Sequence, residues 1–172
     1  MRDKKVLFIT QAAMIAALYV VLTLLANGLG LANYAVQVRF SEALTVLPFF
    51  TPAAIPGLTI GCILSNLLTG CLPLDIVFGS LATLIGAVGT YLLRRYKLAA
   101  PIMPILANTI IVPFILAYVY QLEGSIFYFM LTVGLGEIIS CGILGMLLLG
   151  VLMKYRNIIF KTSYMEKNKL TS

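Results

Sequence analysis

The sequence predicts an all-α integral membrane protein, and three observations lead to this fold class. Of the 172 residues, 61% are hydrophobic and only 10% are charged, whereas a soluble domain carries roughly 25% charged residues. A chain of this length has too little interior to hide so much apolar surface from water, so its solvent should be lipid. Backbone groups in lipid must be satisfied internally, so the long apolar runs should be helices.

Four apolar runs are long enough to cross a bilayer, which takes about 20 residues. They are residues 6–26, 76–93, 102–122 and 126–153. The first run is too long for the core of a signal peptide, which has about 7–15 residues. Residues 42–69 are ambiguous, because Pro48, Pro52 and Pro56 interrupt them and proline breaks helices.

The basic residues decide how often the ambiguous segment crosses. Three clusters, within residues 2–5, 94–97 and 154–169, hold 11 of the 12 Lys and Arg residues. Basic loops stay in the cytoplasm, so an even number of crossings separates each pair of clusters. The ambiguous segment then crosses twice, and its short legs require tilt or burial inside the bundle. The prediction is a six-transmembrane-helix bundle in the cell membrane, with both termini cytoplasmic.

We predict one domain and no resident metal. Residues 1–160 form a six-helix transmembrane substrate-binding domain, and residues 161–172 form a polar cytoplasmic tail. The net charge of +6 reflects membrane orientation rather than nucleic-acid binding, because the basic residues flank apolar spans. Three cysteines without a CxxC pair, in a chain that contains no His, do not form a recognisable zinc site.

Four charged side chains in or beside the apolar runs are candidates for ligand binding. Glu137 stands well inside the last run, where a carboxylate is costly and faces the bundle interior toward a partner or a ligand. The predicted topology places Arg39, Glu42 and Asp75 on the outer side. Structural explanations stay open, because Glu137 could accept an internal hydrogen bond and Asp75 could cap a helix. Arg39 and Glu42 could also pair on the surface.

Uncharged polar and aromatic side chains add to these candidates. Asn66 and Asn108 lie inside apolar runs, where interhelical hydrogen bonding and ligand contact are both plausible roles. The loop 28–41 is long, apolar and contains two glycines, as expected of a lid over the mouth of a bundle. It carries Gln37, a hydrogen-bonding group, and Tyr34, a flat aromatic face.

The first apolar run contains two pairs of alanines spaced four residues apart. Ala12 pairs with Ala16, and Ala13 pairs with Ala17. Small residues at this spacing let another helix approach closely in lipid. That helix belongs either to this protein or to a docking partner, and the spacing alone does not decide between them.

Two longer stretches resemble a known family. Residues 37–70, QVRFSEALTVLPFFTPAAIPGLTIGCILSNLLTG, and residues 73–95, PLDIVFGSLATLIGAVGTYLLRR, are similar to the QueT family of S-components of energy-coupling factor (ECF) transporters. The resemblance covers about residues 5–155. It implies capture of a queuosine precursor, a 7-deazaguanine such as preQ0, preQ1 or queuine, at an outward-facing site.

The resemblance also implies partners, and the polar groups in the apolar runs suggest which residues would bind such a base. A transmembrane coupling protein would dock on Ala12, Ala13, Ala16 and Ala17, and two cytoplasmic ATPase subunits would use ATP, so this chain needs no cofactor. Glu137, or secondly Glu42, would accept the N1–H and 2-amino groups of the ring. The donor to the ring O6 would be Arg39, Asn66, Asn108 or Gln37. Asp75 would bind the cationic arm of preQ1, and Tyr34 and Phe78 would sandwich the ring.

Nothing in the sequence indicates catalysis. There is no GxxxxGK[ST] phosphate-binding loop, so any ATP hydrolysis must come from partners, and there is no His for acid–base work. We therefore predict that the chain is not an enzyme. The alternatives are an S-component for another vitamin or heterocycle, an autonomous secondary transporter, and a small membrane enzyme or assembly factor.

Overall fold

The structure, a computed structural model, describes residues 2–30 and 38–159. Within these ranges the chain is helical and contains no strand. The α-helices are α1 (Arg2–Gly28), α2 (Ala54–Leu68), α3 (Pro73–Leu92), α4 (Ile102–Phe114), α5 (Ile126–Glu137) and α6 (Gly145–Ile159). A 3-10 helix (Phe40–Phe49) precedes α2, and a short 3-10 turn (Lys97–Ala99) precedes α4. The π-helical segments Ile115–Val119 and Ile138–Leu144 extend α4 and join α5 to α6.

Four helical stretches in the described ranges are long and apolar enough to cross a membrane. They are Lys4–Gly28, Pro73–Leu92, Lys97–Val119 and Ile126–Arg156. Large apolar side chains stand exposed along them, among them Ile9 (65%), Val77 (61%) and Leu147 (64%), as expected of surfaces that face lipid. The predicted all-α class and the four long runs are confirmed, and the chain has the character of a multi-pass membrane protein.

The ambiguous segment consists of two short helices. The chain breaks between the 3-10 helix and α2, at the cluster of prolines. At a rise of about 2.0 Å per residue the 3-10 helix spans roughly 20 Å, well short of the ~30 Å hydrocarbon core. The short legs were expected to be tilted or buried inside the bundle, and the 3-10 helix is buried. Residues 41–48 are all buried except Ala43, which is half-buried. It packs against α1, α3, α6 and the segment Ile138–Leu144.

Helices α1 and α2 approach each other at backbone distance. A Cβ added at Gly57 would lie 2.7 Å from the carbonyl oxygen of Ala12, and one at Gly61 would lie 2.7 Å from the Cβ of Tyr19. Only glycine permits this approach. It holds the inner face of α1, including Tyr19 and Ala16, in the core. The predicted tail, residues 161–172, lies outside the described residues, so the domain boundary stays a prediction.

Candidate functional site

A polar cavity of about 300 Å³ opens between α1, α2, α3 and the end of α4. Its wall contains the predicted site residues Arg39, Asn66 and Asp75, together with Tyr120, which the sequence analysis did not select. Apolar side chains such as Val112 complete the wall. The volume lies at the lower end of the range for small-molecule sites, roughly 300–1,000 Å³. We call this space the outer cavity.

Asp75 and Tyr120 form a hydrogen-bonded pair in the wall of the outer cavity. Asp75 is 7% exposed, and the Tyr120 hydroxyl donates to its Oδ2 at 2.7 Å. The same hydroxyl accepts from the backbone N–H of Leu72 at 3.4 Å, at the start of α3. Burial and the neighbouring Asp75 carboxylate raise the pKa of Tyr120 above its usual range. Among the described residues no side chain caps α3, so the capping explanation of Asp75 is not found.

Asn66 lies beside Asp75 because Gly79 leaves space for both. A Cβ added at Gly79 would lie 3.3 Å from Asn66 Nδ2 and 3.3 Å from Asp75 Oδ1. The Asn66 amide has one weak partner, the Cys62 sulfur at 3.7 Å. The wall therefore presents a carboxylate acceptor and an amide donor side by side.

A second polar group lies deeper, where four helical elements meet. Glu42 is 2% exposed, and the Tyr19 hydroxyl donates to its Oε1 at 2.6 Å. The amide of Asn108 donates to Glu42 Oε2 at 3.4 Å and to Glu137 Oε1 at 3.0 Å. The Cys141 thiol donates to Glu137 Oε2 at 3.1 Å. We call Tyr19, Glu42, Asn108, Glu137 and Cys141 the inner network.

The inner network satisfies its own carboxylates. Ligand atoms of Glu42, Glu137 and Cys141 lie within 4.8 Å of one another, a spacing that a metal ion could bridge. Each of these carboxylate oxygens already accepts a hydrogen bond from tyrosine, asparagine or cysteine. Hydrogen bonding therefore accounts for the arrangement without an ion, and the expectation that this chain holds no metal stays a prediction.

Arg39 separates the outer cavity from the inner network. A void of about 10 Å³, lined by Arg39, Asn108 and Glu137 among others, lies on its inner side and has room for roughly one water molecule. The guanidinium interacts electrostatically with Glu42, Glu137 and Asp75. It forms neither an ion pair nor a side-chain hydrogen bond with any residue in the described ranges.

The structure thus groups most of the predicted polar residues, but at two depths. Arg39, Asn66 and Asp75 line the outer cavity, whereas Glu42, Asn108 and Glu137 belong to the inner network. The surface ion pair considered for Arg39 and Glu42 is not found, because Glu42 points into the core.

The structure does not place three further predicted site residues, Phe78, Tyr34 and Gln37, in the outer cavity or in the inner network. Phe78 is 44% exposed and lines an apolar groove with Phe114 and Tyr118, rather than the outer cavity. It follows Asp75 by three residues, about 60° around the helix, and it packs in the groove beside α4 rather than in the cavity. Tyr34 and Gln37 lie outside the described residues, and so does half of the predicted lid.

Sequence reasoning missed Tyr19 and Tyr120. Both tyrosines sit in apolar runs, where an aromatic ring is expected for packing alone. The signal that could have found them is chemical: a buried tyrosine hydroxyl needs a hydrogen-bond partner, and carboxylates were available. The distance along the chain, 23 residues from Tyr19 to Glu42 and 45 from Tyr120 to Asp75, hides these pairs from any local pattern.

The alanines of α1 divide between two faces. Ala16 is buried and Ala12 half-buried against α2, whereas Ala13 and Ala17 are exposed. All four line an apolar groove of about 900 Å³ between α1 and α2. The spacing therefore serves internal packing and also leaves a smooth exposed surface.

Comparison with known proteins gives a family. A family model, the QueT transporter, matches residues 9–154. A curated relative, "Queuosine precursor transporter QueT" of Lactococcus lactis subsp. cremoris (strain MG1363), is 38% identical over 99 residues. That alignment covers 56% of this chain and 57% of the relative, so the chain spans little more than half the length of the relative that it matches. No solved structure matches.

Proposed function

We propose that this chain, which belongs to the QueT transporter family, is the substrate-capture subunit of an ECF-type importer for queuosine precursors. The family is one of transporters and not of enzymes, as the sequence predicted. The proposed substrate is a 7-deazaguanine, namely preQ0, preQ1 or queuine. It would bind from outside in the outer cavity and be delivered inward with the help of an ATPase module.

The observation that carries this proposal is the composition of the outer cavity. Its volume of about 300 Å³ suits a compact ring system, and its wall offers a carboxylate, a guanidinium and an amide. A guanine-like ring edge presents two adjacent N–H donors beside one carbonyl acceptor. Carboxylates accept such donors, and Arg39 or Asn66 can donate to the carbonyl oxygen. Charge-assisted hydrogen bonds of this kind give both affinity and specificity.

The inner network supports the site from below in this proposal. Glu42, Asn108 and Glu137 form the floor behind Arg39, and both glutamates interact electrostatically with its guanidinium. Tyr34 and Gln37, which lie outside the described residues, remain substrate-binding residues of this proposal on the sequence alone.

The topology and partners complete the proposal. Six crossings in the cytoplasmic membrane with both termini inside would place the outer cavity toward the exterior. The exposed groove around Ala13 and Ala17 suits a transmembrane coupling protein, because small residues permit close helix packing. Two cytoplasmic ATPase subunits would supply the energy, since the sequence carries no phosphate-binding loop.

Ligand titration tests the substrate class. Purified protein in lipid nanodiscs would be titrated calorimetrically with preQ0, preQ1, queuine, guanine and adenine. We expect saturable binding of the deazaguanines and none of adenine, whose edge reverses the donor and acceptor positions. Binding of an unrelated vitamin in place of the deazaguanines would contradict the proposal and favour an S-component of another specificity.

Uptake measurements test the dependence on partners. Cells would express this chain with or without a coupling protein and its two ATPases, and accumulation of a labelled precursor would be followed. We expect accumulation only with the complete module. Concentrative uptake by this chain alone would favour an autonomous secondary transporter.

A further inference from the structure

The carboxylates near the outer cavity differ in what they have left to offer a ligand. Both oxygens of Glu42 and both oxygens of Glu137 accept hydrogen bonds from the protein. A void beside Glu137 measures about 10 Å³, enough for roughly one water molecule. A ring cannot reach either glutamate without displacing Arg39 and opening the inner network.

Asp75 has the opposite properties. Only 7% of Asp75 is exposed, yet this residue lines the outer cavity, which is large enough for a ring. Tyr120 occupies Oδ2, and no donor in the described part of the chain reaches Oδ1. Each carboxylate oxygen can accept two hydrogen bonds, so Oδ1 of Asp75 keeps its full capacity, whereas every oxygen of Glu42 and Glu137 already uses part of its own.

The neighbours of Asp75 complete a surface complementary to a guanine edge. Asn66 Nδ2 and Asp75 Oδ1 both border the space beside Gly79, each 3.3 Å from the Cβ position that glycine leaves empty. The carboxylate matches the adjacent N1–H and 2-amino donors, and the amide matches the O6 acceptor beside them. Arg39 provides further donors on the same wall.

Building on the proposed function, we propose that Asp75 binds the N1–H and 2-amino edge of the substrate ring and that Tyr120 is the positioning residue that orients it. Asn66 donates to the ring oxygen. Glu137 and Glu42 contact no part of the substrate. This reverses the roles that the sequence suggested, in which Glu137 held the ring and Asp75 held the cationic arm.

The chemical consequence concerns which substrates are selected. The ring edge is common to preQ0, preQ1 and guanine, whereas the cationic arm is found only on amine-bearing precursors. If Asp75 binds the edge, losing its charge weakens all edge-intact ligands alike. If Asp75 binds the arm, only the amine-bearing ligands are affected.

The decisive experiment compares Asp75→Asn with the matched change Glu137→Gln in full-length protein. Calorimetric affinities would be measured for preQ0, preQ1 and a deazapurine that lacks the 2-amino group. We expect Asp75→Asn to weaken preQ0 and preQ1 equally, by about 10- to 100-fold. We expect Glu137→Gln to change the affinities for preQ0 and preQ1 by less than about threefold. The loss of one hydrogen bond to a charged group would change them by more than that.

Three results would overturn the inference. The first is a larger loss for Glu137→Gln than for Asp75→Asn. The second is a loss for Asp75→Asn that is confined to preQ1, and the third is unchanged binding of both ligands by Asp75→Asn. If Glu137→Gln does not fold, Glu42→Gln serves as the comparison. Failure of the wild-type protein to bind any deazaguanine would instead remove the proposed function itself.

The positioning role of Tyr120 has its own test. The wild-type protein should bind the ligand with a 2-amino group more tightly than the analogue that lacks it. Tyr120→Phe should reduce this ratio of affinities by about 3- to 10-fold. In a protein that already carries Asp75→Asn, Tyr120→Phe should not reduce the ratio further. Tyr118→Phe is the matched control, because Tyr118 is 69% exposed and stacks on Phe114 away from the cavity. An equal effect of Tyr118→Phe, or full additivity with Asp75→Asn, would overturn this role.

Discussion

The inner network and the outer cavity contain the same kinds of side chain, carboxylate, carboxamide and phenol, on either side of Arg39. In the inner network Tyr19, Asn108 and Cys141 together donate a hydrogen bond to each of the four carboxylate oxygens of Glu42 and Glu137. In the outer cavity Tyr120 engages one oxygen of Asp75 and leaves the other open. Hydrogen-bond satisfaction, rather than residue type or depth, therefore distinguishes a polar group that holds helices together from one that can receive a ligand.

The largest effect is expected from removing Asn108, which connects Glu42 and Glu137 in the inner network. Asn108→Leu removes the amide that donates to both Glu42 and Glu137, and leaving each buried carboxyl group one hydrogen bond short costs about 1–3 kcal/mol per group. Thermal denaturation in detergent would measure the loss of stability. Asn66→Leu is the matched control: its amide has only a weak sulfur partner, so stability should change little while precursor binding falls. Equal destabilisation by the two variants would contradict the distinction.

Arg39 should couple the two regions. Arg39→Gln removes a donor from the cavity wall and the cation that interacts with Glu42 and Glu137. We expect a loss of affinity of about 10- to 100-fold together with a stability loss of about 1–3 kcal/mol. Titration and denaturation of the same preparation would measure both. A change in only one quantity would show that Arg39 belongs to one region alone.

Smaller effects are expected from replacing Tyr19 or Tyr120, and the two variants should differ in what they change. Tyr19→Phe removes the 2.6 Å hydrogen bond to Glu42 and should lower stability by about 1–3 kcal/mol, with precursor affinity nearly unchanged. Tyr120→Phe should mainly lower ligand discrimination, with a smaller loss of stability than Tyr19→Phe. Melting temperatures and affinities of both variants provide the measurement, and identical behaviour would remove the contrast.

The smallest effect concerns pH. Because burial and Asp75 raise the pKa of Tyr120, its hydroxyl stays protonated in the folded protein beyond the usual value of about 10. Its contribution to stability is therefore present below pH ~10 and is lost as the pH rises above that value toward the folded pKa. Precursor affinity should be the same at pH 7 and pH 9. A decline that Tyr120→Phe abolishes would contradict this.

Much of the architecture was predictable because lipid imposes simple rules. The long apolar runs had to be helices, and Pro48, Pro52 and Pro56 had to break the segment between them. Polar residues such as Asn108 and Glu137 had to face inward, since lipid offers them no partner. These constraints act along the chain, so a single sequence reveals them.

The division of the polar residues between two depths was not predictable in this way. Whether Glu137 or Asp75 has a free oxygen depends on Asn108 and Tyr120, which approach from other helices. The turn of Phe78 toward an outer groove depends on where α4 packs against α3. These are facts of tertiary packing, and the spacing of residues does not encode them locally.

The π-helical segment Ile138–Leu144 begins one residue after Glu137, and it makes the length of this helix a constraint in its own right. A π turn holds more residues than an α turn, so deleting one residue would let an ordinary α-helical ladder form. Because the wide turn takes up the additional residue, this deletion would keep the packing faces on either side of the turn aligned. Gly145, where a Cβ would lie 3.0 Å from Val46, would then keep its place against the 3-10 helix. A deletion in the regular α-helical part of α6 would instead rotate the residues beyond it by about 100°, so the position of the lost residue decides how much packing is lost.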